Sequence, residues 1–529
     1  MTVDNTRDFD IVVIGGGHNG LVAAGYLAQA GLRVRLLERL GHTGGAAVSA
    51  QAFEGVEVRL SRYSYLVSLL PQRIIEDLGA PVRLARRKFS SYTPEPATAG
   101  RSGLLIGSRG GQSRNTFASI GAGADEHGFA EFYRRCQLVT ERLWPTLLEP
   151  LRTREQVRRL ILQAGDPDAA AAWRGTVDEP IGHAIAEAVS NDLVRGVIAT
   201  DALIGTFARL DDRSLRQNIC FLYHVIGGDW DVPIGGMGSV TAALAAAAVR
   251  HGAEVTTGAD VYAVQPDGQV CYRHGDEQHL IRGRFVLAGV TPAVLADLLG
   301  DQPVPLTPGA QVKVNMVLQR LPRLRDDRVT PDQAFAGTFH ANQTWSQLDA
   351  AYSRAAAGQL ADPLPCEAYC HSLTDPSILS GALRDSGAQT MTVFGLHTPD
   401  SLFCGADSSP ASDAVRDRLT ESVLMSLNSV LAEPIQEVLM SDAHGRQCVE
   451  TTTTVDLQRT LGMTGGNIFH GALSWPFAED DEPLDSPARR WGVATAHERI
   501  MLCGSGARRG GAVSGIGGHN AAMAVLASV

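Results

Sequence analysis

The chain has 529 residues, 44% of them hydrophobic and 19% charged, with a formal net charge of −11. That length exceeds what one hydrophobic core organises, so at least two domains are expected, and the composition is that of an ordinary globular protein. The acidic balance excludes a nucleic-acid binder, which needs a basic footprint for phosphates, and the longest small-apolar run, Val240 to Val249, is far short of a membrane span.

The opening residues, MTVDNTRDFD, are polar and show no secretory or transit pattern, which gives the expectation of a cytoplasmic protein. An apolar run of strand type, Ile11 to Ile14, then enters Gly15-x-Gly17-x-x-Gly20 and the small-residue start of a helix. In such a loop the first glycine permits a tight turn, the second lets a pyrophosphate approach the backbone, and the third lets helix and strand pack closely. The helix start adds free N–H groups and a positive dipole end. LRVRLLE supplies the next strand, and its last residue, Glu38, is placed to accept hydrogen bonds from a ribose. The pattern predicts a bound dinucleotide. It does not distinguish FAD from NAD.

From about residue 90 to 234 the pattern is helical, with Arg134, Arg135, Arg142, Arg152, Arg154, Arg158 and Arg159 interleaved with Leu, Trp144 and Val157. A basic amphipathic face of this kind can dock on a lipid surface. Glu141, Glu149 and Glu155 dilute the charge, so a solvated face and a peripheral membrane contact both stay open. Tyr223, His224, Asp229 and Trp230 precede the glycine loop Gly235 to Gly238 and are candidates for lining a substrate cavity. After that loop come a helix from Ser239, its cap, to His251, valine-rich strands over Glu254 to Val264, and a strand at Phe285 to Ala288. Further strands are expected at Val312 to Leu318 and Thr390 to Leu396. The acidic run Glu479 to Glu482 reads as a solvated loop.

At the C-terminal end, RIMLCGSG reads as a strand entering a glycine loop, and RRGGAVSGIGGHNAAMAVLAS opens a final helix. Strand, glycine turn and small-residue helix at both ends of the chain predict that the two ends meet around one ligand. The expected fold class is therefore α/β. A discontinuous Rossmann-type nucleotide domain (residues 1–85, 235–300 and 486–529) would carry an inserted α+β substrate domain (residues 86–234 and 301–485). Eight cysteines are scattered, with Cys366 and Cys370 the only close pair, and neither C-x-x-C nor C-x4-C occurs, so dithiol chemistry is not expected. No ligand spacing suggests a metal.

The stretch ERLGHTGGAAVS (Glu38 to Ser49) places Gly44-Gly45 just after the ribose acid, and resembles the FAD-binding N-terminus of the amine oxidase and phytoene desaturase superfamily. LSRYSYLVSLL (Leu60 to Leu70), GGNIFHGALSW (Gly465 to Trp475) and LCGSGARRGGAVSGIGGHNAA (Leu502 to Ala522) narrow the resemblance, which runs over essentially the whole chain. It is to the phytoene dehydrogenase-related group often labelled pyridine nucleotide-disulfide oxidoreductase domain-containing proteins. The missing cysteine pair separates the disulfide part of that label from the chemistry.

This resemblance implies FAD and a mostly apolar substrate tunnel. By motif position it implies FAD contacts from Gly15, Gly17, Gly20, Glu38, Arg39, Gly44, Gly45 and Ala46. It further implies Val261 at the adenine, and Gly504, Gly510, Gly511, Ala512 and Val513 beside the flavin pyrimidine ring. Relatives commonly have His-Pro where this chain has Arg508-Arg509; an arginine there either brings positive charge to the flavin or points to solvent. The activity implied is dehydrogenation of a hydrophobic small molecule, carotenoid-like, isoprenoid or polyketide-like, by hydride transfer to flavin N5. An amine or amino-acid oxidase using dioxygen, a flavin-dependent double-bond isomerase and a flavin-bound protein without turnover remain alternatives.

Candidates for proton chemistry are few. His470 lies in the matched GGNIFHG motif, as a base or as a structural histidine, and His224 stands before the glycine loop. Lys313 and Lys88 are the only lysines in the chain. Amine oxidases of the superfamily carry a lysine on a comparable strand, linked through water to flavin N5; alternatively Lys313 is a strand lysine reaching solvent. His18 and His519 sit in the nucleotide loops, where cofactor or backbone contacts are expected. The sequence leaves the oligomeric state open.

Overall fold

The computed structural model describes residues 8–108, 116–163, 165–402 and 413–529. Its first sheet begins with β1 (Asp8–Ile14), crosses over through helix α1 (His18–Gln29), and returns parallel as β2 (Val34–Glu38). The apolar residues of β1 are buried on both faces, as a strand covered by helices on either side requires. On one side β2 pairs in parallel with Glu254–Thr257; on the other, β1 pairs in parallel with the C-terminal half of the Glu277–Ala288 strand, which pairs in parallel with Ile500–Leu502. An antiparallel meander of Ala259–Val264 and Gln269–His274 extends this sheet through the long strand. The strands thus come from the first, middle and last parts of the chain, so its two ends do converge. The architecture is α/β with a Rossmann-like domain.

The helix over the middle segment runs Met237–Arg250, and its N-cap is Gly236 rather than Ser239. Ser239 lies inside the first turn, its hydroxyl donating back to the carbonyls of Ile234 and Gly236 at 2.8 and 2.7 Å. This helix and the last one (Ile516–Leu526) flank α1. Small residues allow the close packing: a side-chain carbon on Gly518 would collide with the carbonyl oxygen of Asn19.

The second sheet has seven strands in the order Val449–Thr452, Gln311–Leu318, Gln389–Leu396, Cys366–Tyr369, Thr338–Ala341, Phe89–Pro94 and Gly103–Gly107. All neighbours are antiparallel except Thr338–Ala341 with Phe89–Pro94. Two of these strands fall near the start of the segment expected to be helical; their short length and the intervening turn conceal them from a periodicity reading. The Gln311–Leu318 strand is buried at every position rather than at alternate ones.

The helical layer holds Asp125–Leu143 and Arg154–Leu162. Its arginines are locally balanced. Arg134 and Arg135 reach Glu131 and Asp168, Arg152 reaches Glu149, Arg154 reaches Asp178, Arg158 and Arg159 reach Glu155, and Arg142 donates to the Leu138 carbonyl. Six of these seven arginines are thus paired with carboxylates, which dilutes the positive charge of the face. Among the described residues no helix is long and apolar enough to cross a membrane, no cluster could hold a metal ion, and all seven described cysteines are free.

Candidate functional site

Four parallel strands end on one cavity. Gly15 follows β1, Glu38 closes β2, Gly289 follows the Glu277–Ala288 strand, Gly504 lies just past Ile500–Leu502, and all four line the space. Ligands of open α/β sheets sit at this carboxyl edge.

The glycines of the first loop act differently from one another. Gly15 has φ +98°, a conformation that L side chains avoid. Gly20 lies beneath it, and a side-chain carbon there would collide with the Gly15 carbonyl oxygen. Gly17 has φ −69° and ψ 170°, open to any residue, and a Cβ built on it meets no atom within 4 Å. Gly17 is on the cavity wall, so its missing side chain serves the space and not the backbone. The niche lies at the start of α1, where the first N–H groups have no intrahelical acceptor, no side chain caps them, and the dipole favours an anion. That is a cradle of the polarity a pyrophosphate needs.

Beside this niche, Glu38 is 7% exposed and its two carboxylate oxygens accept hydrogen bonds from Gly16 N and Leu40 N, each 2.7 Å. The backbone thereby fixes the carboxylate while leaving it further acceptor capacity. Arg39, Gly45, Ala46 and Val261 line the same end, and Ala512 and Val513 of the C-terminal loop line it with Gly504. Gly44, Gly510 and Gly511 do not. Gly44 N donates to Gly16 O at 2.8 Å, Gly510 packs on Gly504, and Gly511 packs on Leu473. Asn19 Nδ2 donates to Gly510 O at 3.2 Å and ties α1 to that loop. These glycines shape the wall from behind.

The arginine pair does not point to solvent. Arg509 is 1% exposed, with φ +67°; it donates to the carbonyls of Thr146, Glu149 and Trp491 at 2.9, 2.8 and 3.3 Å. Burial pushes its guanidinium down to about 10, still cationic at neutral pH. Arg508 donates to Phe477 O and pairs with Glu482. Arg509 clamps the loop to the helical layer, and Arg508 clamps it to the acidic segment.

The other end of the cavity is a chamber built from the helical layer and the second sheet. Tyr223, His224 and Cys220 come from the helix Arg216–Ile226, Trp230 follows it, and Gln311 and Phe394 come from sheet strands. Asp229 is not on this wall; its carboxylate pairs with Arg86 at 2.7 Å, drawn away by a partner that sequence spacing cannot reveal. His224 has Nε2 3.1 Å from Asp201 Oδ1, and its ring lies tilted by 37° at 4.7 Å from that of Trp230. His470, in the left-handed conformation at φ +64°, and His18, the first residue of α1, lie on the wall between the two ends. Burial pushes His18, His224 and His470 each down to about 4, so all three imidazoles are neutral at pH 7. Among the described residues, His18 Nε2 and His470 Nδ1 have no hydrogen-bond partner. His519 is away from the wall, with Nδ1 2.9 Å from Asn520 Oδ1.

Lys313 is 4% exposed and does not reach solvent; it stands one layer behind the wall, where Nζ donates to the carbonyls of Ser61 and Ser64 at 2.7 and 2.9 Å. Burial pushes it down to about 7. One strand face carries Gln311, Lys313 and Asn315 at the period of two, and Asn315 Nδ2 donates to Arg62 O at 3.1 Å. This face holds the Ser61–Tyr65 segment, whose Tyr63, Ser64 and Tyr65 line the cavity. Sequence reasoning missed Gln311 and Tyr65. The signal for Gln311 was three polar residues at alternate positions of an otherwise apolar strand.

Residues 13–70 match the family model of the NAD(P)-binding Rossmann-like domain. The chain is 75% identical to an uncharacterised protein of Mycobacterium tuberculosis, over 99% of this chain and 98% of that one. It is 30% identical to pyridine nucleotide-disulfide oxidoreductase domain-containing protein 2 of Rattus norvegicus, over 98% and 93%. With the phytoene dehydrogenase of Streptomyces griseus it shares 29% over 62% and 64%. Among solved structures, an oxidoreductase from Methanosarcina mazei superposes with a TM-score of 0.56 at 15% identity, covering 98% of this chain and 99% of that one. A putrescine oxidase variant does so with 0.56 at 15%, covering 99% and 100%. At such identities the likeness is one of fold.

Proposed function

Because the chain belongs to the flavin-type oxidoreductases of the phytoene dehydrogenase and pyridine nucleotide-disulfide oxidoreductase domain-containing group, we propose that it is an FAD-dependent enzyme that dehydrogenates a hydrophobic small molecule. One observation carries the reading: glycine segments from opposite ends of the chain share one cavity, and at Gly17 the wall leaves a niche that no protein atom fills. FAD fits this wall. The start of α1 and Gly17 would hold the pyrophosphate, Glu38 the ribose, Val261 the adenine, and Gly504, Ala512 and Val513 the ring. The unpartnered His18 Nε2 on the wall is a further polar group for a ligand to satisfy. Bound there, FAD supplies a two-electron acceptor for dehydrogenation.

The remaining work falls to side chains of this protein. The chamber orients the substrate and excludes water with Leu66, Leu69, Ile204 and Phe394. We assign proton acceptance to His224 Nδ1, because the ring is on the wall and uncharged at neutral pH, and its Nε2–H faces Asp201, which holds its orientation and leaves the lone pair on Nδ1. Lys313 is a positioning residue: its two carbonyl contacts fix the segment carrying Ser64 and Tyr65.

The test is the colour of the purified protein. The expected result is the visible absorption of an oxidised flavin, released as FAD on denaturation and bleached anaerobically by a hydrophobic substrate pool. A colourless protein that takes up no added FAD contradicts the reading.

A further inference from the structure

The chamber is less apolar than a hydrocarbon tunnel needs to be. Tyr223 and Gln311 are each 5% exposed and both stand on its wall. Among the described residues Gln311 Oε1 has no hydrogen-bond partner, and the Tyr223 hydroxyl, whose oxygen faces the Arg509 backbone N–H, keeps its proton free to donate. They come from a helix and a sheet strand distant in sequence, yet both line the cavity that also holds His224 and its neighbour Trp230. Buried polar atoms left unpaired are destabilising, so native proteins keep them where water or a ligand supplies the partner.

Charge stands behind the chamber wall and not on it: Asp201 is 3.1 Å from His224 Nε2, and the Arg509 guanidinium donates to backbone carbonyls. Among the described residues, the fully charged side chains on the cavity wall are Glu38, Arg39 and Asp260, all at the nucleotide end. An ammonium or carboxylate in the chamber would find no charged side chain on the chamber wall itself, and burying an isolated charge is far costlier than burying a neutral polar group.

Resting on the functional reading above, we propose that the substrate is an apolar molecule bearing an uncharged hydrogen-bonding group, an alcohol or carbonyl, which Tyr223 and Gln311 recognise. The hydroxyl can donate to the substrate oxygen, and the amide can donate through Nε2 or accept a hydroxyl proton at Oε1. A hydrocarbon leaves both unsatisfied.

The experiment titrates FAD-loaded protein with geraniol, with the hydrocarbon of the same skeleton lacking oxygen, and with geranylamine. The readouts are the flavin spectrum and quenching of tryptophan fluorescence, since Trp230 is on the wall. Geraniol is expected to bind at least about tenfold more tightly than either analogue, the worth of one or two hydrogen bonds. Tyr223→Phe and Gln311→Leu should erase that preference without changing flavin content. A wild type that distinguishes none of the three overturns the proposal, as does a hydrocarbon or amine bound as tightly as geraniol. Variants that lose flavin, or keep the preference, overturn it too. The tryptophan signal reports the preference without FAD, so a protein that binds no flavin refutes the functional reading separately.

Discussion

The two ends of the cavity are built on different principles. At the nucleotide end the protein meets its ligand with backbone: glycines without side chains, the N–H groups of a helix start, and a carboxylate held by two more backbone donors. At the chamber end it uses side chains from a helix, two strands and a connecting segment, separated by long stretches of chain. Backbone recognition needs residues at fixed short spacings. Side-chain recognition needs only that remote elements converge, and so leaves little local trace.

Substitutions can break this contrast, and the largest effect is expected at Gly20. Gly20→Val forces a side chain into the Gly15 carbonyl, and should cost at least about 1–3 kcal/mol of stability together with all flavin binding, read by thermal melting and by the flavin-to-protein ratio. Arg509→Leu strips donors from three carbonyls that the clamp satisfies. It should destabilise by about 3 kcal/mol in urea unfolding, while leaving the α1 niche itself intact.

Lys313 sharpens the comparison through pH. Burial lowers it from 10.5 to about 7 in the folded chain, so between those values the unfolded chain binds more protons. Stability from this group therefore rises with pH across that window and is lowest below about 7. Lys313→Met should abolish this rise, seen as a difference between wild type and variant at two pH values inside the window. The smallest effect is expected at Arg134, an exposed partner of Glu131 and Asp168. Arg134→Ala should leave the melting temperature nearly unchanged, and the wild type should not float with anionic liposomes.

Much of the nucleotide end was legible because its physics is local. Gly15, Gly17, Gly20 and Glu38 announce strand, turn, helix and acid within one short stretch, and the C-terminal glycines repeat the pattern. The chamber was not. Tyr223, His224 and Trp230 were found, but Asp229 was drawn to Arg86, and Gln311 looked like the start of an ordinary strand. Lys313 and Arg509 show why charge is a poor guide here. Both are buried basic side chains whose donors go to backbone carbonyls, so each holds a segment in place. Nothing in their immediate sequence says which carbonyls.

Gly17 offers the most direct test of the account, because its Cβ would enter empty space while its backbone tolerates any residue. The measurement is FAD affinity and apoprotein stability for wild type and Gly17→Val. The account predicts that the wild type binds one FAD per chain, and that the variant folds with a stability within about 1 kcal/mol of the wild-type apoprotein yet fails to bind FAD. A variant that binds FAD as tightly as the wild type would contradict it.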